Sequence, residues 1–376
     1  MLREVHRALC CWASGVVVES VLWPQPKRPT PQRPTPVRFV TQPAHPAREH
    51  RDTLKRVSVA CAALLAIALL FFSLRGIEWR RVGGLAAHAH PVPLLLAALA
   101  STGTLFVRAI RWRVLLNSEG RVSVRTAFWA TSAGYFGNNF LPARGGELVR
   151  TYIVSAAATL DTAFVLATAL SERVADAVAL IAIAAVVLVR MPSQSAWMAR
   201  GVPLIAAAAL LCVIAIAVLP YLSAPLAAVL QRSPLPHGFR QRLLLIVEQV
   251  LRGMRAFHDV RRLSTFAVLT AVIWSGDAVA ATITGTALGL QIPYRVAFLL
   301  LAGLGLGSAL PSTPGYIGIY QFVAVMVLTP FGFSHTEAIT YILVAQALGY
   351  VVVGFWGALA LGRYRTLLRV PVSKVQ

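Results

Sequence analysis

The sequence predicts an all-α polytopic membrane protein, and three observations lead to this fold class. Of the 376 residues, 57% are hydrophobic and 13% are charged, whereas soluble domains carry roughly 25% charged residues. The apolar residues are gathered in segments long enough to span a bilayer as helices. In addition, two segments 169 residues apart contain similar helix-breaking stretches. We therefore expect about six full transmembrane helices and two re-entrant broken-helix hairpins, arranged as an inverted repeat.

The first 52 residues differ from the rest of the chain. Eight prolines fall between Pro24 and Pro46, a composition typical of extended, disordered segments. This stretch is either a disordered basic tail or a product of a misassigned start site. Residues 53–366 are expected to form one transmembrane domain, and residues 367–376 a short cytoplasmic tail.

Six apolar segments are predicted to cross the membrane completely. They are residues 57–74, 91–107, 163–189, 202–219, 265–290 and 338–361. The second of them runs into a basic cluster between Arg108 and Arg113 that also contains Trp112. Arginines beside a tryptophan are typical of a cytoplasmic membrane boundary, so the helix is expected to reach the surface there.

Two further apolar segments are interrupted by proline and glycine. The first reads Ala133 to Glu147 and the second Ala302 to Tyr316, and they share the pattern Leu-Pro-x-x-x-Gly. Proline removes a backbone donor, and glycine allows left-handed backbone and close approach. We expect helix breaks at Pro142, Pro311 and Pro314. Paired interruptions at corresponding positions of two halves indicate the binding site of a transporter.

The net charge of +21 fits a membrane protein better than a nucleic-acid-binding one, because the arginines lie mainly in the tail and the loops. Five arginines fall within residues 108–125 and seven within 223–262. The six-crossing topology places both stretches and both termini in the cytoplasm, as the positive-inside rule requires. An eight-helix alternative would place 223–262 outside. The expected location is the cell (inner) membrane.

Candidate headgroup-binding residues cluster at the two breaks. A broken helix presents unpaired N–H groups to an anion, and arginine adds two-point donors. The main candidates are Arg144 and Arg150, which would otherwise be cations at the cytoplasmic interface. A Glu147–Arg150 pair at i, i+3 would instead be structural. The accompanying candidates for the headgroup are Asn139, Gly145, Gly146, Ser312 and Gly315.

A second set of candidates consists of charged residues inside apolar segments: Glu147, Glu172, Arg173, Asp176 and Asp277. Buried charges are costly, so such residues pair with one another or take part in transport. The Glu172 to Asp176 cluster is either self-neutralising or functional. Asp277 either pairs with an arginine across helices or protonates. No metal site is expected at His45, His88 or His90.

These motifs resemble one known family. The residues are Asn139-x-Leu-Pro-x-Arg-x-Gly-Glu147-x-x-Arg150, then Glu172-Arg-x-x-Asp176, then Leu310-Pro-x-x-Pro-Gly-x-x-Gly318. In this order they resemble the lysylphosphatidylglycerol synthase transmembrane family of flippase-like proteins, over about residues 55–365. The family usually carries glutamate where this chain has Gln321. We expect no counterpart of the soluble aminoacyl-transfer domain of the synthases in these residues, so the resemblance does not imply synthase activity.

Two function classes follow from the residues and the resemblance together. The first is a flippase that moves an anionic phospholipid, a hopanoid-related lipid or a polyprenyl-linked lipid between leaflets. The second is a non-transporting membrane subunit or scaffold for an enzyme of envelope lipid or glycan biosynthesis. The expected partners are membrane lipids, and either a second copy of the chain or such an enzyme. Catalytic residues, cofactors and nucleic acid are not expected.

Overall fold

Nine α-helices make up most of the part of the chain that the structure describes. The computed structural model describes residues 70–71, 73–141, 145–190, 259–308 and 314–365, with a few positions between 231 and 244. The helices are α1 (Trp79–Ala87), α2 (Pro91–Leu116), α3 (Val124–Phe140), α4 (Gly146–Ala158), α5 (Thr162–Val189), α6 (Val260–Ala287), α7 (Tyr294–Gly307), α8 (Ile319–Leu328) and α9 (His335–Arg363). Two 3₁₀ turns flank α8, at Pro314–Tyr316 and Thr329–Phe331. No strand occurs in these ranges.

Side-chain caps set the starts of four of the helices. The side chains of Ser123, Asp161 and Asp259 accept hydrogen bonds from backbone N–H groups in the first turns of α3, α5 and α6. Ser334 and Glu337 form a reciprocal capping box at the start of α9. Such caps satisfy N–H groups that have no partner within the helix.

Three helices are long and apolar enough to cross a membrane: α2, α6 and α9. The 28 residues of α5 would also reach across a bilayer, but Glu172, Arg173 and Asp176 interrupt its apolar sequence. These helices contain four of the six predicted crossings. The remaining two, at 57–74 and 202–219, lie wholly or largely outside the described residues, as do the proline-rich tail and most of 223–262.

Both predicted breaks interrupt a helix, and the chain turns back on itself at each. In the first, α3 ends at Phe140 and α4 begins at Gly146, and the two helices pack together. A β-carbon built on Gly137 would lie 2.7 Å from Gly146 Cα. A β-carbon on Gly120, before α3, would meet Leu160, which follows α4. The two ends of this helical hairpin therefore lie side by side.

The second hairpin consists of α7 and α8. Gly303 and Gly307 of α7 face Val323 and Ile319 of α8 at close range. Gly315 and Gly318, between the helices, have φ angles of +75° and +92°, which glycine adopts at little cost. That both hairpins enter and leave a membrane on one side stays a prediction.

The chain has two halves with the same order of helices. Helices α2 to α5 form the first half and α6 to α9 the second, and each helix starts 169–173 positions after its counterpart. The packing is reciprocal as well, since α3 packs on α9 and the counterpart pair, α7 and α5, also packs together. The repeat therefore extends well beyond the two breaks that first indicated it.

The counterpart helices α2 and α6 form an antiparallel pair. The His90 N–H, next to α2, donates to the Ala287 carbonyl at 2.8 Å, and Arg111 donates to Thr270 at 3.1 Å. At the other end of α2, Leu115 packs with Phe266. As the residue number rises along α2, it falls along α6, so these two helices run in opposite directions.

Close packing at Gly146 gives a stability prediction. A β-carbon there would overlap the Gly134 carbonyl oxygen and would lie 2.6 Å from the backbone nitrogen of Asn138. We expect Gly146→Ala to lower the free energy of unfolding by about 1–3 kcal/mol, because overpacking forces the hairpin apart. Thermal unfolding in detergent micelles measures this.

The matched control is Gly354→Ala in α9, where an added β-carbon meets nothing within 4 Å. It should be neutral, or stabilising by up to about 1 kcal/mol, since alanine favours helix more than glycine does. Equal stability of the two variants would contradict the close packing.

Candidate functional site

The interior of the helix bundle contains a network of paired charges. Arg111 on α2 is fully buried and donates from both terminal nitrogens to Asp176 on α5, at 2.6 and 2.9 Å. Its Nη2 also donates to Glu172 at 2.8 Å. This two-point geometry is the strongest that arginine forms with a carboxylate, and it ties α2 to α5.

Glu172 extends the network to the first hairpin. Its second carboxylate oxygen accepts from Arg150 Nη1 on α4 at 2.8 Å, and Arg150 Nε donates to Glu147 at 2.5 Å. Arg150 is 1% exposed, and its guanidinium lies 4.4 Å from the centre of the Trp112 ring. The i, i+3 pair of Glu147 and Arg150 is therefore present, and it is buried.

Two arginines of the network are partly open. Arg173 on α5 donates to Glu147 at 2.9 Å and lies 3.8 Å from Asp176, and a quarter of its side chain is exposed. Arg108 on α2 pairs with Asp277 on α6. Asp277 therefore pairs across helices, the first of the two alternatives open from the sequence. Among the described residues, these buried and partly open ion pairs comprise four arginines and four carboxylates, so their formal charges balance.

Aromatic rings line each of the four guanidinium groups. Arg108 lies over the Trp274 ring at 5.1 Å, and Arg111 over Phe266 at 4.8 Å. Tyr135 on α3 lies within 6 Å of two guanidinium groups, at 5.8 Å from Arg108 and 5.4 Å from Arg173. Cation–π contacts of this kind are favourable where the cation is removed from water.

A cavity of about 410 Å³ opens beside the partly open arginines. Each helix from α2 to α9 contributes at least one lining residue, and α4 contributes only from its first turn. Both halves therefore line the cavity. The first half supplies Arg108, Glu147, Arg173 and Asp176. The second half supplies Asp277 and an uncharged wall formed by Tyr316, Tyr320, Gln346 and Tyr350.

The cavity is built from counterpart positions of the two halves. Glu147 and Tyr316 both line it, as do Asp176 and Ala345, and the members of each pair are 169 positions apart. The same offset separates Arg108 and Asp277, which bond to each other. The cavity therefore lies where the two halves meet.

The residues predicted from the sequence fall into three groups. Asn139, Glu147, Arg173, Asp176, Asp277 and Gly315 line the cavity. Gly145 and Gly146 are buried at the start of α4, while Arg150 and Glu172 are buried in the network. Arg144, Ser312, Pro142 and Pro311 lie outside the described residues, and Pro314 begins the 3₁₀ turn before α8.

The expectation that Arg111 and Trp112 lie at a surface is wrong, while the position of a membrane boundary near residues 108–113 stays a prediction. Helix α2 continues to Leu116, and both Arg111 and Trp112 are fully buried. The acids that pair with Arg108 and Arg111 lie 61 to 169 positions away in sequence. A local reading of this segment could not show that its cations have buried partners.

Gln321, where the resemblance leads one to expect glutamate, has a structural role that suits an amide. Its Oε1 accepts from the Gly318 N–H at 2.7 Å, and its Nε2 donates to Gln346 Oε1 at 2.6 Å. A carboxylate could make the first bond but has no proton for the second. The residue fixes the glycine-rich turn before α8 against α9.

Comparison with known proteins identifies the same family that the sequence motifs resemble. The model of the family described as the lysylphosphatidylglycerol synthase TM region matches residues 59–357. Among curated proteins, the glycosyltransferase AglD of Haloferax volcanii is 26% identical over 298 residues. That match covers 71% of this chain and 48% of the relative. The chain therefore spans about half the length of this relative.

The Arg108–Asp277 pair gives a prediction about stability. Each side chain is less than a fifth exposed, and breaking a buried pair leaves an uncompensated charge. We expect Arg108→Ala and Asp277→Ala each to cost about 3–5 kcal/mol in the free energy of unfolding. The exchanged variant, Arg108→Asp with Asp277→Arg, should recover most of this loss, because the two positions are counterparts. Chemical denaturation in micelles measures these differences.

A surface pair provides the control. Arg81 lies 4.0 Å from Glu337 and is about half exposed, and Arg81→Ala should change stability by less than about 1 kcal/mol. The interaction is disproved if the exchanged variant loses as much free energy of unfolding as the two single variants lose together.

Proposed function

Because the chain belongs to the family of the lysylphosphatidylglycerol synthase TM region, we propose that it moves a lipid between membrane leaflets. The lipid carries a charged headgroup and is an anionic phospholipid, a hopanoid-related lipid or a polyprenyl-linked lipid. The observation that carries this proposal is the cavity between the halves, which combines intramembrane charges with counterpart positions from both hairpins. Charges inside a membrane bundle mark pathways for polar substrates.

The phosphate of the headgroup is assigned to Arg108 and Arg173. Both line the cavity, and both lie near the Tyr135 ring. Arg111 and Arg150 are at most 1% exposed and do not line the cavity, and each donates to two carboxylates. A headgroup could reach Arg150 only if this network opened, so the geometry favours the ion-pair alternative for that residue. The role of Arg144 stays a prediction.

The arrangement of the halves supports an alternating mechanism. Counterpart helices that run antiparallel, as α2 and α6 do, are related by an approximate two-fold axis perpendicular to the helices. In a membrane, such an axis lies in the plane of the bilayer, which is the geometry of inverted-repeat transporters. Movement of one hairpin against the other would then expose the same cavity to one leaflet at a time. In this proposal, Asn139 and Gly315 contact the headgroup from opposite hairpins.

A second candidate function follows from the relative. The protein named glycosyltransferase AglD has about half its length outside the match. A region similar to this chain therefore occurs joined to further sequence in a protein with an enzyme's name. On this alternative, the chain presents a lipid to an envelope-biosynthesis enzyme or scaffolds it, without transport. Neither alternative assigns a catalytic residue or a cofactor to the chain.

The proposed location is the cell (inner) membrane with both termini in the cytoplasm. Burial of Arg108 and Arg111 removes two cations from the predicted loop, but Arg113, Arg121 and Arg125 remain near the same end of the bundle. The seven arginines of 223–262 give the stronger positive-inside signal.

Cysteine labelling tests this orientation. In a chain with its four native cysteines replaced, Arg240→Cys should react with an impermeant maleimide only after the cells are permeabilised. Ala86→Cys, between the first two predicted crossings and therefore outside in this topology, should react in intact cells and serves as the control. Labelling of Arg240→Cys from outside would contradict the six-crossing topology.

Transport is tested by reconstitution into liposomes with lipids labelled on the headgroup side. We expect Arg173→Ala to slow lipid movement by at least about ten-fold, because it removes a charge-assisted contact. Its melting temperature should stay near that of the parent, since Glu147 keeps Arg150 as a partner. Arg173→Lys should restore movement only in part, because lysine lacks the planar two-point donor.

Two variants serve as comparisons. Arg125→Ala alters an exposed arginine at the start of α3 and should leave both transport and stability unchanged. Arg150→Ala should instead lower stability, and Glu147→Ala should lower it similarly. Normal transport by a stable Arg173→Ala variant would refute the assignment of the phosphate to this residue. Absence of movement by the parent protein would favour the second candidate function.

A further inference from the structure

The cavity has two walls of different chemistry. The wall from the first half carries formal charges, whereas Tyr316, Tyr320, Gln346 and Tyr350 in the second half offer only hydroxyl groups, an amide and aromatic faces. A phosphate needs the charged wall alone. The uncharged wall therefore suits a second, uncharged part of the ligand that is polar and has an apolar face.

Two tyrosines of this wall form a parallel stack. The ring centres of Tyr316 and Tyr320 lie 5.0 Å apart, and their planes differ by 9°. Both rings border the cavity. In a parallel stack each ring covers one face of the other, so the pair presents a flat outer ring face, here called the platform. Perpendicular aromatic walls would instead enclose an ammonium group from several sides.

The backbone that presents Tyr316 is strained and firmly held. Tyr316 has a φ of +61°, in the left-handed region that disfavours residues with a β-carbon. The preceding carbonyl, that of Gly315, accepts hydrogen bonds from the Tyr350 hydroxyl at 2.5 Å and from Gln346 Nε2 at 3.0 Å. Strain of this kind persists where surrounding contacts enforce it, and it concentrates at ligand-binding positions.

An aromatic platform beside amide and hydroxyl groups suits a sugar. The apolar C–H face of a pyranose ring packs on an aromatic ring. Its hydroxyl groups would donate to Gln346 Oε1 and the Tyr350 oxygen, which keep acceptor capacity beside their bonds to Gln321 and Gly315. Pockets that combine aromatic walls with a few placed polar groups are typical of small polar ligands, and about 410 Å³ lies within their usual size.

We propose that the wall formed by Tyr316, Tyr320, Gln346 and Tyr350 binds a glycosyl unit, so that the substrate is a lipid-linked sugar phosphate. The phosphate lies against Arg108 and Arg173, and the sugar rests on the platform of Tyr316 and Tyr320. This inference rests on the proposed function, because it names the substrate class of the same cavity. Among the candidate lipids, it selects a glycosylated, polyprenyl-linked phosphate.

The test compares three lipids in liposomes that contain the full-length protein. They are a hexosyl-phosphoryl polyprenol, the same polyprenyl phosphate without its sugar, and a phosphocholine lipid. The parent protein should move the glycosylated lipid about ten-fold faster than the sugar-free one. Tyr320→Leu should abolish that preference, so that it moves the two polyprenyl lipids at equal rates. Tyr320→Phe, which keeps the aromatic face, should retain the preference.

Binding separates failure of this inference from failure of transport. In micelles, glucose 1-phosphate should raise the melting temperature of the parent more than inorganic phosphate does, and Tyr320→Leu should lose the difference. This result would support the sugar site even if the protein moved no lipid. Equal effects of the two phosphates, or equal movement of both polyprenyl lipids by the parent, would overturn it. If Tyr320→Leu slowed only the phosphocholine lipid, the sugar site would also be overturned, and the result would indicate an ammonium site.

Discussion

The structure depends on the requirement that charges inside an apolar bundle be compensated by other charges. Glu172 is central to this, because each of its two oxygens accepts from a different arginine, Arg111 on α2 and Arg150 on α4. Neither arginine has water as an alternative partner, since both are at most 1% exposed. A charge so placed is tolerated only when oppositely charged partners are held in good geometry. The network thereby holds α2, α4 and α5 in one relative position, and that position forms the charged wall of the cavity.

Local sequence signals predicted the helix breaks because proline and glycine act through their own backbone. The helices end at Phe140 and Gly307. They resume at Gly146, the last residue of the first Leu-Pro-x-x-x-Gly segment, and at Ile319, after the second. The same local reasoning failed at Arg108 and Arg111, because a pairing partner on another helix leaves no trace beside the arginine. One signal was available: Arg108 and Asp277 stand 169 positions apart, the offset at which the breaks align. Applying the repeat to every intramembrane charge would have shown that these two residues of opposite charge occupy counterpart positions.

The two halves share a framework but divide the chemistry between them. Glu147 in the first half corresponds to Tyr316 in the second, and Asp176 corresponds to Ala345. All four line the same cavity. Aromatic residues of the second half were not recognised from the sequence, because tyrosine in an apolar helix usually serves packing or an interfacial role. Only the fold shows that Tyr316, Tyr320 and Tyr350, from two helices and a turn, surround one space.

The contact between Arg108 and Asp277 has a consequence for how such a chain can have arisen. Two identical halves, associated as a dimer, would bring two arginines or two aspartates together at this crossing, and like charges repel. An attractive pair on counterpart positions requires halves with different sequences. This ion pair is therefore available only after duplication and divergence, and it favours the association of one half with its unlike partner over association with its own copy.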